Sequence, residues 1–90
     1  ELNDIKEIAK IQLQNLEKRL NKKNLKLKIS DEAINQLVQN SFDSIYGARP
    51  LKRIIQKQIE TKISNNILNN NYIDKDEVNI YLVNGEIIVD

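Results

Sequence analysis

Apolar residues change their period along this chain, and that change limits what it can fold into. Leu2, Ile5, Ala9, Leu13, Leu16 and Leu20 recur at spacings of three and four, which places them on one stripe of a helix. Leu25, Leu27 and Ile29 then take every second position, the pattern of a half-buried strand. Val78, Ile80 and Leu82 alternate again and lead into Asn84-Gly85. That dipeptide favours a two-residue type I′ turn, in which both central residues need positive φ. A turn there pairs Val83 with Glu86, Leu82 with Ile87, Tyr81 with Ile88 and Ile80 with Val89. Cross-strand partners share a face, so Ile80, Leu82, Ile87 and Val89 are expected to face the core, with Tyr81 and Ile88 looking outward or at a partner. The expected class is α+β: three helices packed with a small, about three-stranded sheet that includes a C-terminal hairpin.

The middle of the chain supplies the other two helices. Asn21 to Asn24 is a polar break before the first strand. Ser30 is placed to cap a second helix, with Asp31 and Glu32 in a first turn that favours carboxylates. Ile34, Leu37 and Val38 give its apolar face, which fades at Ser41. Pro50 suits the first position of a third helix, because its missing N–H would be unpaired there anyway. That helix is expected to reach about Leu68. Ile55, Ile59, Ile63 and Ile67 form an i, i+4 row, joined by Leu51, Ile54 and Leu68. Such a row drifts around a regular helix, so its packing partners should change along its length. Asn69, Asn70 and Asn71 end it. Ile8 and Ile11 lie off the first helix's stripe. They either widen the core face or form a second apolar surface. Residues 1–90 show no repeat and no linker, and are expected to form a single domain.

Composition removes several function classes. There is no cysteine and no histidine, so disulfides, zinc sites of the usual type and imidazole catalysis are absent. No metal site is expected, and a reducing compartment such as the cytoplasm fits. The net charge is +1 with acids and bases interspersed, which offers no bulk attraction to nucleic acid or membrane. No apolar run approaches the roughly 20 residues of a membrane helix, and no signal-peptide pattern precedes the first helix. Asn, Ile and Lys are abundant, a bias of composition, and no function is read into individual surface Asn or Lys residues.

One segment, Phe42 to Pro50, carries unusual chemistry. A phosphate-cradling loop needs several glycines and a lysine in a fixed frame. This chain has two glycines, Gly47 and Gly85, and cannot hold a nucleotide unaided. Arg49 precedes a proline, which pushes its backbone out of the α region. It stands at the mouth of a helix whose free N–H groups favour anions, and Gly47 permits a sharp turn just upstream. A cation at that helix end is unfavourable unless an anion meets both. The alternative is an ordinary solvated arginine.

At these residues the chain resembles a known family. Tyr46-Gly47-Ala48-Arg49-Pro50-Leu51-Lys52-Arg53 is similar to the sensor-2 motif of Clp-type protein-unfolding AAA+ ATPases. Ile11-Gln12-Leu13, Leu16 and Arg19-Leu20 resemble the family's opening helix, and Ile29-Ser30-Asp31-Glu32-Ala33 the start of its second. Ile54-Ile55-Gln56, Ile59-Glu60 and Ile67-Leu68 resemble its long third helix. The likeness is nearest to the C-terminal small domain of the second ATPase module in ClpB disaggregases, and it leaves the ClpA and ClpC branches open. Ser41 stands where ClpB proteins usually have Gly, and Ser44 where they usually have Pro, which bears on the rigidity of the turn.

The resemblance implies a sensing role for Arg49, which would reach the γ-phosphate of ATP, with Tyr46, Gly47, Ala48 and Pro50 as its supporting motif. It implies ATP with Mg in a full-length parent, and no cofactor for the isolated domain. It implies contacts with AAA+ large domains of the same and neighbouring subunits in a homo-hexamer that acts on unfolded or aggregated proteins. Lys52 and Arg53 are either a solvated first turn or further contacts to nucleotide or neighbour. Asp43 reads as a local turn or cap residue, Tyr46 as a residue that closes the core or packs near the adenine, with the core favoured, and Asp74 to Glu77 as a solvated loop. No residue of this chain is expected to be catalytic. Two other readings stay open: the equivalent domain of a protease-coupled ClpA/ClpC-type unfoldase, or a free-standing, non-enzymatic adaptor.

Overall fold

The computed structural model describes residues 2–41, 50–73 and 77–90, with side chains from residue 4 onward. Helix α1 (Leu2–Asn21) buries one stripe, Ile5, Ala9, Leu13, Leu16 and Leu20. Leu2 lies outside the described side chains. Ile8 and Ile11 are 41% and 56% exposed, so they do not widen the core face.

Two helix ends are set by asparagine. After α1, Asn24 takes φ 63°, while its N–H donates to the Asn21 carbonyl at 3.1 Å and the Leu25 N–H donates to the Leu20 carbonyl at 3.0 Å. This is a Schellman closure, in which a left-handed residue satisfies carbonyls the helix leaves free. Leu20 and Leu25, the residues at its two ends, both lie in the core. The sequence pattern marked a polar break here without singling out Asn24.

Strand β1 (Lys26–Ile29) follows, and then helix α2 (Asp31–Ser41). Ser30 caps α2 as expected: its Oγ accepts the Ala33 N–H at 3.1 Å. Ala33, Ile34, Leu37, Val38 and Ser41 are buried. Ser41 is fully enclosed, and its Oγ donates to the Val38 carbonyl at 2.9 Å, so the hydroxyl is satisfied locally.

The long helical rod is less regular than its sequence suggests. It consists of α3 (Leu51–Ile55), a π-helical turn (Gln56–Glu60) and α4 (Thr61–Leu68), with αR backbone angles at each junction. The Thr61 N–H donates to the Gln56 carbonyl, and the Thr61 Oγ1 donates to the same oxygen at 3.0 Å. This wide turn counteracts the drift of the i, i+4 row. Leu51, Ile55, Ile59 and Ile63 are all at most 2% exposed, while Ile67 is half-buried and Leu68 is 78% exposed. The packing partners still change along the rod. Helix α3 lies against α2 and α1. Farther on, Arg19 of α1 pairs with Glu60 at 2.7 Å, and the Lys62 Nζ of α4 donates to the Ile87 carbonyl at 3.3 Å.

Asn70, at φ 62°, closes the rod in a second Schellman motif. Its N–H donates to the Ile67 carbonyl at 3.0 Å, and the Asn71 N–H donates to the Asn66 carbonyl at 2.9 Å. Asn66 also bridges side chains, accepting from Asn71 Nδ2 at 3.0 Å and donating to the hydroxyl of buried Tyr72 at 2.9 Å.

Strands β2 (Glu77–Val83) and β3 (Glu86–Val89) complete a sheet of order β1-β2-β3. β1 and β2 are parallel, with Leu27 beside Val78 and Ile29 beside Ile80, so α2 and the rod form the crossover that parallel strands require. Glu77 opens β2 opposite Lys26 and is half-buried, so it belongs to the strand and not to a solvated loop. The hairpin register is the expected one, from Ile80↔Val89 to Val83↔Glu86. Asn84 and Gly85 take φ 51° and 81°. Ile80 and Ile87 are buried, Leu82 and Val89 pack partly against the core, and Tyr81 is 38% exposed. Helices α1 and α2 pack against β1 and β2 respectively.

A Cβ at Gly85 would meet nothing within 4 Å, so a substitution there feels the positive φ alone. Gly85→Val should lower stability by about 1–3 kcal/mol, the strain of a β-branched residue in that region. Urea titration should show an earlier midpoint with an unchanged slope. An unmoved midpoint would mean that the turn relaxes to another type.

Candidate functional site

In sequence, the candidate segment lies between α2 and the rod. Tyr46, Gly47, Ala48 and Arg49 lie outside the described residues, as do Asp43 and Ser44. Pro50, Lys52 and Arg53 lie within them. α2 ends at Ser41 and the rod begins after Pro50, and α2 packs directly on α3.

Pro50 has φ −81° and ψ −2° and stands one position before the first helical residue, Leu51. The expected placement was the first helical position itself. The physical reason for a proline is the same at either place, since neither N–H has an intrahelical partner. The Pro50 carbonyl accepts the Ile54 N–H at 3.0 Å, which starts the helical ladder. No side chain caps this helix start among the described residues.

Leu51 and Ile55 fix the orientation of this helix end. They are 0% and 2% exposed, on the same side of the rod as Ile59. Lys52 and Arg53 are consequently turned outward, and both are exposed. They give the first turn two solvated cations, an arrangement that the helix dipole disfavours unless an anion is near. Neither makes an ion pair among the contacts described. The structure thus separates these residues by burial: Leu51 anchors the helix end in the core, while Lys52 and Arg53 are exposed.

The described residues hold no cluster of three or more acidic residues able to bind a metal ion, and no helix long and apolar enough to cross a membrane. The largest contribution that sequence reasoning missed is the π-helical turn, six to ten residues past Pro50 in the same rod. Its only sequence signal is the unbroken i, i+4 row of Leu51, Ile55, Ile59 and Ile63, which a regular helix could not keep on one face.

Comparison with known proteins agrees with the motif. The profile of the C-terminal, D2-small domain of ClpB protein matches residues 1–80. Chaperone protein ClpB 1 of Synechococcus elongatus is 42% identical over 86 residues, covering 96% of this chain and 10% of the relative. Chaperone protein ClpB of Helicobacter hepaticus is 41% identical over 86 residues, with the same coverage of 96% and 10%. Chaperone protein ClpB of Leptolyngbya boryana is 47% identical over 74 residues, or 82% of this chain and 8% of the relative. The chain thus spans about one tenth of the length of the relatives it matches. Motif, architecture and these matches agree, and the chain belongs to the family of C-terminal D2-small domains of ClpB.

Proposed function

We propose that this domain is the nucleotide-sensing small domain of a ClpB-like, ATP-dependent protein disaggregase, and that Arg49 contacts the ATP γ-phosphate. The observation that carries the reading is the Gly47-Ala48-Arg49-Pro50 sequence, set immediately before a helix whose first residue, Leu51, is fully buried. The residue that follows Pro50 is thus anchored in the domain core. Tyr46, Gly47, Ala48 and Pro50 support Arg49, and exposed Lys52 and Arg53 give secondary contacts. The domain is a single unit of a longer ATPase that holds ATP with Mg mainly through a large domain. That parent works as a homo-hexamer on unfolded or aggregated protein, in the cytoplasm. Its small domains pack on large domains of the same and neighbouring subunits.

The mechanism follows from differential binding. A guanidinium makes charge-assisted hydrogen bonds to phosphate oxygens, stronger than neutral ones. ADP lacks the γ-phosphate, so the contact distinguishes the two nucleotides. A ligand drives a conformational change only through such a difference. Arg49 would thereby convert nucleotide state into the angle between small and large domains.

Arg49→Ala in the full-length parent should impair ATP-driven disaggregation and leave this domain's melting unchanged. Arg49→Lys should restore only part of the activity, since an ammonium lacks the planar fork. Lys52→Ala and Arg53→Ala should change stability by no more than about 0.5 kcal/mol, as for exposed side chains away from special features. Normal ATP affinity, turnover and disaggregation in the Arg49→Ala parent would refute the sensor role.

The isolated chain should neither hydrolyse ATP nor bind it tightly, because it has no glycine-rich phosphate loop. It should also sediment as a monomer or a weak self-associating species. Micromolar ATP binding by calorimetry would contradict the first statement, and a stable hexamer of the 90-residue chain the second.

A further inference from the structure

Asn84 precedes Gly85, and no other asparagine of the chain precedes a glycine. We propose that Asn84 is a site of spontaneous deamidation, and that its conversion to isoaspartate opens the β2–β3 hairpin. The reaction needs no enzyme and no co-reactant beyond water. The Gly85 backbone nitrogen, having lost its proton, attacks the Asn84 Cγ. A nitrogen–carbon bond forms, the side-chain amide bond breaks, and the amide nitrogen leaves as ammonia. Water then opens the resulting succinimide ring at one of its two carbonyls. Opening at the side-chain carbonyl gives aspartate. Opening at the main-chain carbonyl gives isoaspartate, in which the backbone runs through the former side chain.

The structure favours this reaction at Asn84 over the other two asparagines held at positive φ. Attack requires that the following N–H be free to lose its proton. After Asn24, the Leu25 N–H is bonded to the Leu20 carbonyl at 3.0 Å. After Asn70, the Asn71 N–H is bonded to the Asn66 carbonyl at 2.9 Å. The β2–β3 ladder closes at Val83↔Glu86, so the Gly85 N–H lies outside it. Asn84 and Gly85 are both exposed, and nothing beyond the two chain neighbours stands within 4 Å of where a Gly85 Cβ would be. The turn is therefore open to water and base.

The product does not fit the turn. Isoaspartate lengthens the main chain by one carbon inside a loop of two residues. A type I′ turn of that length sets the register of its strands, and the register holds Ile87 in the core at 6% exposure. Lengthening the loop releases β3 from β2 and uncovers that face.

The test is incubation of the 90-residue chain in mildly alkaline buffer, followed by peptide mass analysis and labelling with an isoaspartate-specific methyltransferase. The amide-to-acid mass gain should appear at Asn84 several-fold faster than at Asn24 or Asn70, rise with pH, and be labelled by the enzyme. Gly85→Ala should slow it several-fold. The modified fraction, separated by charge, should melt below the unmodified chain. Asn84→Asp, which adds the charge without lengthening the backbone, should melt close to wild type. Equal rates at the three asparagines, or a product without isoaspartate, would overturn the site. A modified fraction that melts like wild type, or no lower than Asn84→Asp, would overturn the opening of the hairpin.

Discussion

The fold depends on keeping one row of aliphatic side chains against the core for the length of the rod. Leu51, Ile55, Ile59 and Ile63 stand four apart and are all nearly inaccessible. In a regular helix each step of four advances about 40°, so the row from first to last would swing through about 120°. That is wider than one packed face. The π-helical turn at Gln56–Glu60 places more residues in a turn and rotates each by less, bringing Ile59 and Ile63 back under Leu51 and Ile55. Thr61 stabilises the wide turn by placing both its N–H and its hydroxyl on the Gln56 carbonyl. The Arg19–Glu60 pair ties the same turn to α1. Being largely exposed, that pair contributes at most about 1 kcal/mol, so the buried aliphatics carry the turn and the ion pair follows.

How much of this was legible depends on the period involved. Alternation in a strand is unambiguous, and a two-residue Asn-Gly turn fixes register without tertiary information, which is why each pair from Ile80↔Val89 to Val83↔Glu86 was foreseen. The stripe of α1 was equally clear. The π-helical turn was not, because an i, i+4 row is compatible either with changing partners on a regular helix or with one face on a widened one. Here both occur, and only the packing decides between them. The parallel pairing of β1 with β2 was also invisible. Pairing across such a crossover leaves no local signature in either strand.

The asparagines show how composition can hide a role. They are numerous enough to look like background, yet three of them hold positive φ: Asn24, Asn70 and Asn84. Asparagine tolerates that region better than most residues, so a chain with only two glycines uses it to close two helices and one hairpin. Asn24 and Asn70 each sit beside other asparagines or lysines of similar character, and no local pattern says which one takes the left-handed angle. Asn84 was recognisable because the neighbouring glycine defines the turn type. The candidate site is read on other grounds. Its residues form a specific sequence, and the role proposed for Arg49 rests on likeness to a family and on the preference of helix ends for anions.

The position of the rod's first turn in the fold has a mechanical consequence. The rod begins at Leu51, which belongs to the same cluster as Ile5 and Leu13 of α1, Leu37 of α2 and Ile80 of β2. Well-packed interiors resist compression and transmit displacement. A pull applied just before Pro50 therefore cannot be absorbed by bending the first turn alone, because moving Leu51 would open a cavity beneath it. Creating such a cavity costs about 2–5 kcal/mol for a leucine-sized side chain, comparable to the 1–3 kcal/mol typical of coupling between sites. The cheaper response is motion of the helices and sheet as one body. A displacement of the rod's first turn is thereby shared with the side chains of the same cluster, Ile5 and Leu13 of α1, Leu37 of α2 and Ile80 of β2.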